Sequence, residues 1–304
     1  MTLKCMLVLA GCVAASVPRH HLGWDVENKD VWLPLVGLGT WQYNDTIAYE
    51  ALCKAFAAGY TYVDTANGYG NQKGVGQAIR DCWTKSRDEL FVMTKIPGGL
   101  DTSETLAAHA ENLQQLGLDY VDHLMVHYPG DWSDTPERSN PARRQEEWLA
   151  LESIYKKGEA RSLGISHYCS QHIDDILEVA TVRPSVNQVE YHIGSGDLDD
   201  VIQKCATERI YFMSYSSLCG PCSYEPKDSL INGDMVSSIG AAHNVSGAQV
   251  SLRWIVQQSI TRDYIGPVIP KSNNADHIAS NFDLFSFELT ADEMSTLTLA
   301  TVPA

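Results

Sequence analysis

A closed α/β barrel of eight parallel strands wrapped by helices is predicted by three features of the 304-residue sequence. Short β-rich runs alternate with amphipathic helical stretches along nearly the whole chain, the pattern that builds a parallel sheet. The runs number eight, enough to close a (β/α)8 barrel whose functional groups gather at the strands' C-terminal ends. An open dinucleotide-binding sheet would carry G-x-G-x-x-G after its first strand, but Gly37 and Gly39 have no third glycine at the required place.

Taken in order, MTLK and CMLVLAGCVAASV come first, one positive charge ahead of an apolar run with Ala14-Ala15-Ser16 as a cleavage site. Residues 1–20 read as a leader, either a secretory signal peptide or a dispensable extension, and too short to span a bilayer. The sequons Asn44-Asp-Thr46 and Asn244-Val-Ser246 suit secretion, although such triplets also arise by chance. Residues 21–304 are expected to form one barrel domain. GWDVENKDVWL (23–33) reads as a hairpin plugging the barrel bottom.

The expected barrel strands are 33–39, 60–65, 90–96, 120–128, 161–167, 185–191, 210–217 and 264–271. Between them TIAYEALCKAFAAG (46–59), TSETLAAHAENLQQLG (102–117), QEEWLALESIYKKG (145–158) and SGAQVSLRWIVQQ (246–258) repeat apolar residues at helical spacing. Gly59, Gly117 and Gly158 stand where helix C-terminal caps belong.

Composition narrows the function classes. A formal net charge of −16 argues against non-specific nucleic-acid binding, since a polyanion would be repelled. Beyond that short leader, no other stretch is apolar enough to be transmembrane. The eight cysteines are scattered and resemble no small-scaffold framework, with Cys53 and Cys205 read as core packing. Cys219-Gly-Pro-Cys222 has redox spacing but follows the seventh strand, so a regulatory disulfide is weighed against an ordinary loop.

The strand ends carry the chemistry. Asp64, Lys95, His127, Ser166 with His167, Asn187 with Gln188, Tyr215 and Lys271 each close an apolar run. Singly, each has a structural explanation, such as a helix cap or a satisfied core histidine. Together, at equivalent topological positions, they outline a site. Between the first two, GYGNQKG (68–74) resembles a phosphate loop, but no Gly-Lys-Ser/Thr occurs. Its glycines better suit a tight reversal that turns Tyr69 inward, with Asn71 opening the next helix.

Six ordered motifs carry a family resemblance: VDTANGYGNQKGVGQAI, LFVMTKI, LGLDYVDHLMVHYP, LGISHYCSQHI, VNQVEYH and IPKSNNADHIASNF. With GLGTWQ and SLRWIVQQ they resemble the aldo-keto reductases over roughly residues 22–299. That family is a (β/α)8 barrel using a nicotinamide cofactor, generally NADPH, without a Rossmann domain. The resemblance implies Tyr69 as proton donor, Lys95 as the ammonium beside it, Asp64 as the partner of Lys95, and His127 as donor to the carbonyl oxygen. The chemistry agrees: a tyrosine titrates near ~10, and an adjacent cation would bring it toward a useful acid.

The resemblance further implies that Ser166, His167 and Gln188 hold the carboxamide and that Tyr215 stacks on the nicotinamide. Ser216 and Leu218 join the cofactor set, Lys271 and Ser272 meet the 2′-phosphate of NADPH (NADP+), and Asn281 meets the adenine. Trp41, Tyr128 and Trp132 would line the mouth, favouring an apolar or aromatic small-molecule carbonyl substrate. A monomer is expected, with no metal, nucleic-acid or membrane partner. It would be cytoplasmic, or in the secretory pathway if residues 1–16 act as a signal.

Several positions depart from the family pattern. Gln72 replaces a glutamate, His167 an asparagine and Ser217 a proline. His277 stands where an arginine normally grips the 2′-phosphate, which loses a fixed charge and a bidentate fork. The chain ends soon after Met294, so a long C-terminal loop is short here and the pocket is expected to be more open. Two other readings remain at this point. His123 and His127 could join a metal-dependent hydrolase site, although barrel hydrolases want more ligands at neighbouring strand ends. The barrel could also bind NADPH without turnover, as a sensor or channel-partner subunit.

Overall fold

The computed structural model describes residues 17–130, 137–196, 198–219, 228–262 and 264–300. The hairpin comes first, as β1 (Arg19–Trp24) and β2 (Asp30–Pro34), paired antiparallel with His21 opposite Trp32. It starts earlier than the sequence suggests and takes Leu33 and Pro34 from the run expected to form the first barrel strand. The barrel follows as β3 (Leu38–Gly39), β4 (Tyr62–Asp64), β5 (Phe91–Ile96), β6 (His123–Val126), β7 (Leu163–Ser166), β8 (Val186–Glu190), β9 (Tyr211–Tyr215) and β10 (Ile265–Val268). Each pairs in parallel with the next. A parallel bridge from Val36 to Val268 closes the ring, with Gly37 N–H donating to the Val268 carbonyl at 2.9 Å.

The helices form where their caps allow. Helix α1 (Asp45–Ala57) starts at Asn44, whose side chain accepts from Ile47 N–H. Helix α2 (Gln72–Cys82) starts after Asn71, but the Asn71 amide does not cap it. That amide donates instead to the carbonyls of Thr40 and Tyr43, tying the loops after β3 and β4 together. Helix α3 (Thr102–Leu116) has an Asp101/Glu104 capping box and ends on Gly117 at φ 66°. Helix α4 (Pro141–Lys156) begins earlier than its apolar repeat predicts, because Asn140 caps it and Pro141 takes the first turn, where a missing N–H costs nothing.

Helices α5 (Ser170–Leu177), α6 (Asp199–Glu208), α7 (Ser229–Asn232), α8 (Asp234–His243), α9 (Gly247–Thr261), α10 (Ala275–Phe282) and α11 (Ala291–Leu299) complete the outer layer. Tight packing between helices explains Gly74, at the end of GYGNQKG, and Gly76 just after it. A Cβ on Gly74 would meet the Asp45 carbonyl at 2.1 Å, and one on Gly76 the Leu116 carbonyl at 2.2 Å. These glycines let α1, α2 and α3 approach closely; they do not cradle a phosphate.

The core is double. Inside the barrel, Val31 and Leu33 of the hairpin pack against Tyr62, Phe91, Met93, Met125 and Met213, plugging its lower end as expected. The larger core fills the layer between the strands and the helices. One cysteine reading needs correction: Cys53 is not mere packing but is bonded to Cys82, joining α1 to α2. Because the two helices lie side by side, residues 29 apart in sequence reach a Cα separation of 5.3 Å. Cys205 is buried, and burial pushes its thiol up to about 11. Cys219 is disulfide-bonded, while Cys222 lies outside the described residues.

Candidate active site

The strand ends converge. Lys95, on β5, is fully buried, and its ammonium donates to Asp64 Oδ1 at 2.7 Å, to the Thr65 carbonyl at 3.1 Å and to Tyr69 Oη at 3.3 Å. Those three contacts use all of its protons. Asp64 ends β4, and Tyr69 ends a single 3₁₀ turn (Asn67–Tyr69) that reverses at Gly70, φ 67°. His127 follows β6, its ring edge-on to Tyr69 with centroids 5.5 Å apart. Four groups drawn from positions 64 to 127 thus share one corner of the barrel mouth.

Electrostatics define their states. Burial, with Asp64 nearby, pushes the Tyr69 phenol well above 10. The expectation that Lys95 brings it down is not met in the resting protein; removal from water outweighs the ammonium. Burial lowers Lys95 below 10.5, and Asp64 opposes that shift. Burial, then the positive charge of Lys95, holds His127 down at about 2, so its imidazole is neutral at physiological pH.

A cleft of about 920 Å³ opens over this corner and runs past Tyr215 to Lys271. Its walls include Trp41, Asp64, Tyr69, His127, Tyr128, His167, Gln188, Tyr215, Ser216, Ser217, Leu218 and Lys271, most of the residues singled out from the sequence. Ser166 is buried just beneath, donating to the Gln188 carbonyl at 2.8 Å. Ser272 and His277 do not line the cleft; they stand on the exposed or half-exposed segment leading from Lys271 into α10, where Asn281 is buried. Trp132 lies outside the described residues.

His167 sits at φ 63°, and Gln42 (66°) and Ser216 (49°) on the same cleft also have left-handed backbones. Strained residues gather where side chains must be aimed. Both nitrogens of His167 are engaged: Nδ1 lies 3.0 Å from the His127 carbonyl and Nε2 2.9 Å from Tyr215 Oη. One tautomer satisfies both, with Nδ1–H donating and Nε2 accepting from the tyrosine. Burial lowers its proton affinity. Tyr128 stacks on His127 with centroids 4.6 Å apart and lies tilted against His167 at 4.3 Å.

Among the wall residues that escaped the sequence reading, two carry polar side chains. Gln42 accepts from Lys271 Nζ at 2.8 Å, and Glu190, last in β8, approaches Tyr215 Oη at 3.4 Å. Glu190's place at a strand end was the available signal; Gln42 gave none beyond its neighbour Trp41. His123, in contrast, is packed beneath the site with Nδ1 2.7 Å from Ser162 Oγ. No group of three metal-ligating side chains occurs among the described residues.

A parallel barrel with an Asp–Lys–Tyr contact chain and a histidine under a long cleft is the architecture of a carbonyl oxidoreductase. Comparison with known proteins agrees. Residues 35–300 match the model of the Aldo/keto reductase family. An aldo-keto reductase of Mycolicibacterium smegmatis is 35% identical over 288 residues, covering 93% of this chain and 91% of the relative. A glyoxal reductase of Bacillus subtilis is 34% identical, covering 88% of each chain. The crystal structure of a Bombyx mori aldo-keto reductase in complex with NADP superposes with a TM-score of 0.80 at 27% identity, covering 94% of each chain. The chain belongs to the aldo/keto reductase family and is an NAD(P)H-dependent oxidoreductase. No helix among the described residues is long and apolar enough to cross a membrane.

Proposed function

We propose that the protein reduces an aldehyde or ketone to the alcohol with NADPH, and that Tyr69 donates the proton. The observation that carries this reading is the Asp64–Lys95–Tyr69 contact chain opening onto the cleft. When bound, NADPH supplies the hydride. The cleft fits such a group: it runs continuously from Tyr69 to Lys271, with the half-buried Tyr215 between them. Ser166, His167 and Gln188 would hold the carboxamide and Tyr215 would stack on the ring. Ser216 and Leu218 would follow the cofactor's course, with Lys271, Ser272 and His277 toward the 2′-phosphate and Asn281 toward the adenine.

Burial keeps Tyr69 protonated at neutral pH, the form a donor needs. A substrate oxygen that takes on alkoxide character would be far more basic than phenolate, so a proton held on Tyr69 would move downhill to it. The Lys95 ammonium then stabilises the phenolate, and Asp64 keeps that ammonium charged in a dry site. Neutral His127 donates a hydrogen bond to the oxygen as its charge develops. Trp41 and Tyr128, with Trp132, favour an apolar or aromatic substrate. NADPH oxidation across a carbonyl panel, run beside Tyr69→Phe, tests the reading. Undiminished turnover in that variant would remove Tyr69 as the donor, and tight NADPH binding with no turnover by the native protein would favour a sensor.

One observation bears on location. A cytoplasmic placement suits the family, but the Cys53–Cys82 bond favours an oxidising compartment, in line with a signal peptide. Alkylation of the protein in intact cells of its source separates the two.

A further inference from the structure

The Asp64 carboxylate has two oxygens, and Lys95 takes only Oδ1. Oδ2 accepts from Gln188 Nε2 at 2.9 Å, across the barrel from β8 to β4. Resting on the function proposed above, we infer that Gln188 is a positioning residue for the acid–base pair, fixing the Asp64 carboxylate so that Lys95 stays against Tyr69. Three observations support it.

The amide has one workable orientation. Flipped, it would set its carbonyl oxygen against a carboxylate oxygen in a buried site. Its remaining N–H finds only thioethers, Met213 Sδ at 3.4 Å and Met93 Sδ at 3.7 Å. These are weak acceptors, so nothing draws Nε2 away from Asp64. Tyr62 Oη faces the same sulfurs, Met93 Sδ at 3.2 Å and Met213 Sδ at 3.5 Å, which makes a neutral floor under the pair.

The orientation also leaves Gln188 Oε1 without a protein donor among the described residues, while the residue lines the cleft. A donor arriving from the cleft at Oε1 would polarise the amide and strengthen its N–H toward Asp64. Cofactor occupancy and the state of the Asp64–Lys95 pair are therefore linked through one side chain. The charged and titratable groups around the pair are Lys95, Tyr69, Tyr62, His123, His127, His167 and, on the same strand as Gln188, Glu190. None of these other than Lys95 contacts the Asp64 carboxylate.

Without the amide donor, Oδ2 is buried and unpaired, and the carboxylate draws the Lys95 proton toward itself. The ammonium then supports the Tyr69 phenolate less well, so the tyrosine holds its proton to higher pH. Alcohol oxidation, the reverse reaction, needs phenolate and rises with pH as the proton leaves. In Gln188→Leu its acidic limb, read as kcat at saturating NADP+, is expected to move up by about one pH unit. Gln188→Met, of similar length and without an amide donor, should move it the same way and serves if the leucine variant does not fold, judged by circular dichroism. A limb that stays in place in a folded, active variant, with only the KM for NADP+ raised, would overturn the inference and reduce Gln188 to a cofactor contact. Absence of any carbonyl turnover by the native protein would instead overturn the proposed function, and this inference with it.

Discussion

Cutting the Cys53–Cys82 bond by C53A/C82A removes a tether between two adjacent helices and nothing in the cleft. The bridge joins residues 29 apart, which corresponds to about 3.6 kcal/mol of loop-closure entropy withdrawn from the unfolded chain at 25 °C. Both cysteines are replaced by alanine, a good helix residue, and both positions are half-buried, so little packing is lost with the sulfurs. For a domain of this size roughly 2 °C follows each kcal/mol, giving a fall in Tm of about 7 °C. Differential scanning calorimetry of native and variant protein, each with and without reductant, measures it. The variant isolates this bond, because reductant also opens the disulfide at Cys219. Carbonyl reduction at low temperature should be unchanged. Equal melting temperatures, or alkylation of both thiols in the unreduced native protein, would refute the pairing and the oxidising compartment argued from it.

Other consequences follow from the site. Lys95→Met leaves Asp64 buried without its cation, costing about 3–5 kcal/mol of stability and abolishing carbonyl reduction; chemical denaturation and turnover read the two effects. His109 and His123 are buried, and burial lowers them to about 4 and about 3. Their folded values lie below the unfolded one near 6.5, so the unfolded chain binds more protons as pH falls. Each therefore withdraws about 2 kcal/mol of stability between pH 6.5 and 5, and a Tm that stays flat over that window would contradict their burial as neutral groups. His277→Arg restores a fixed charge and a bidentate fork toward the 2′-phosphate. It should tighten NADPH several-fold and leave NADH unchanged, as read by fluorescence titration with each cofactor.

Much of the barrel is legible along the chain because each βα unit is local. A strand's apolar run, a glycine such as Gly117 at the helix end and a cap such as Ser246 are set by neighbouring residues, so their order announces the architecture. The strand-end residues are legible for the same reason: topology makes Asp64, Lys95 and His127 equivalent before any contact is known. Boundaries were harder. Asn140 and Pro141 lengthen α4 beyond its apolar repeat, and the hairpin takes residues that pattern alone gives to the first barrel strand.

Local pattern along the chain sets the repeat of eight units, the polar residues ending them and the family to which their order belongs. What depends on distance through space emerges only once the chain is folded. Folding pairs Cys53 with Cys82, gives Asp64 a second partner from a strand 124 residues away, and turns both nitrogens of His167 inward. It also reversed the expected shift of Tyr69, since the loss of water around a phenol is a property of everything packed about it and is written at no single position.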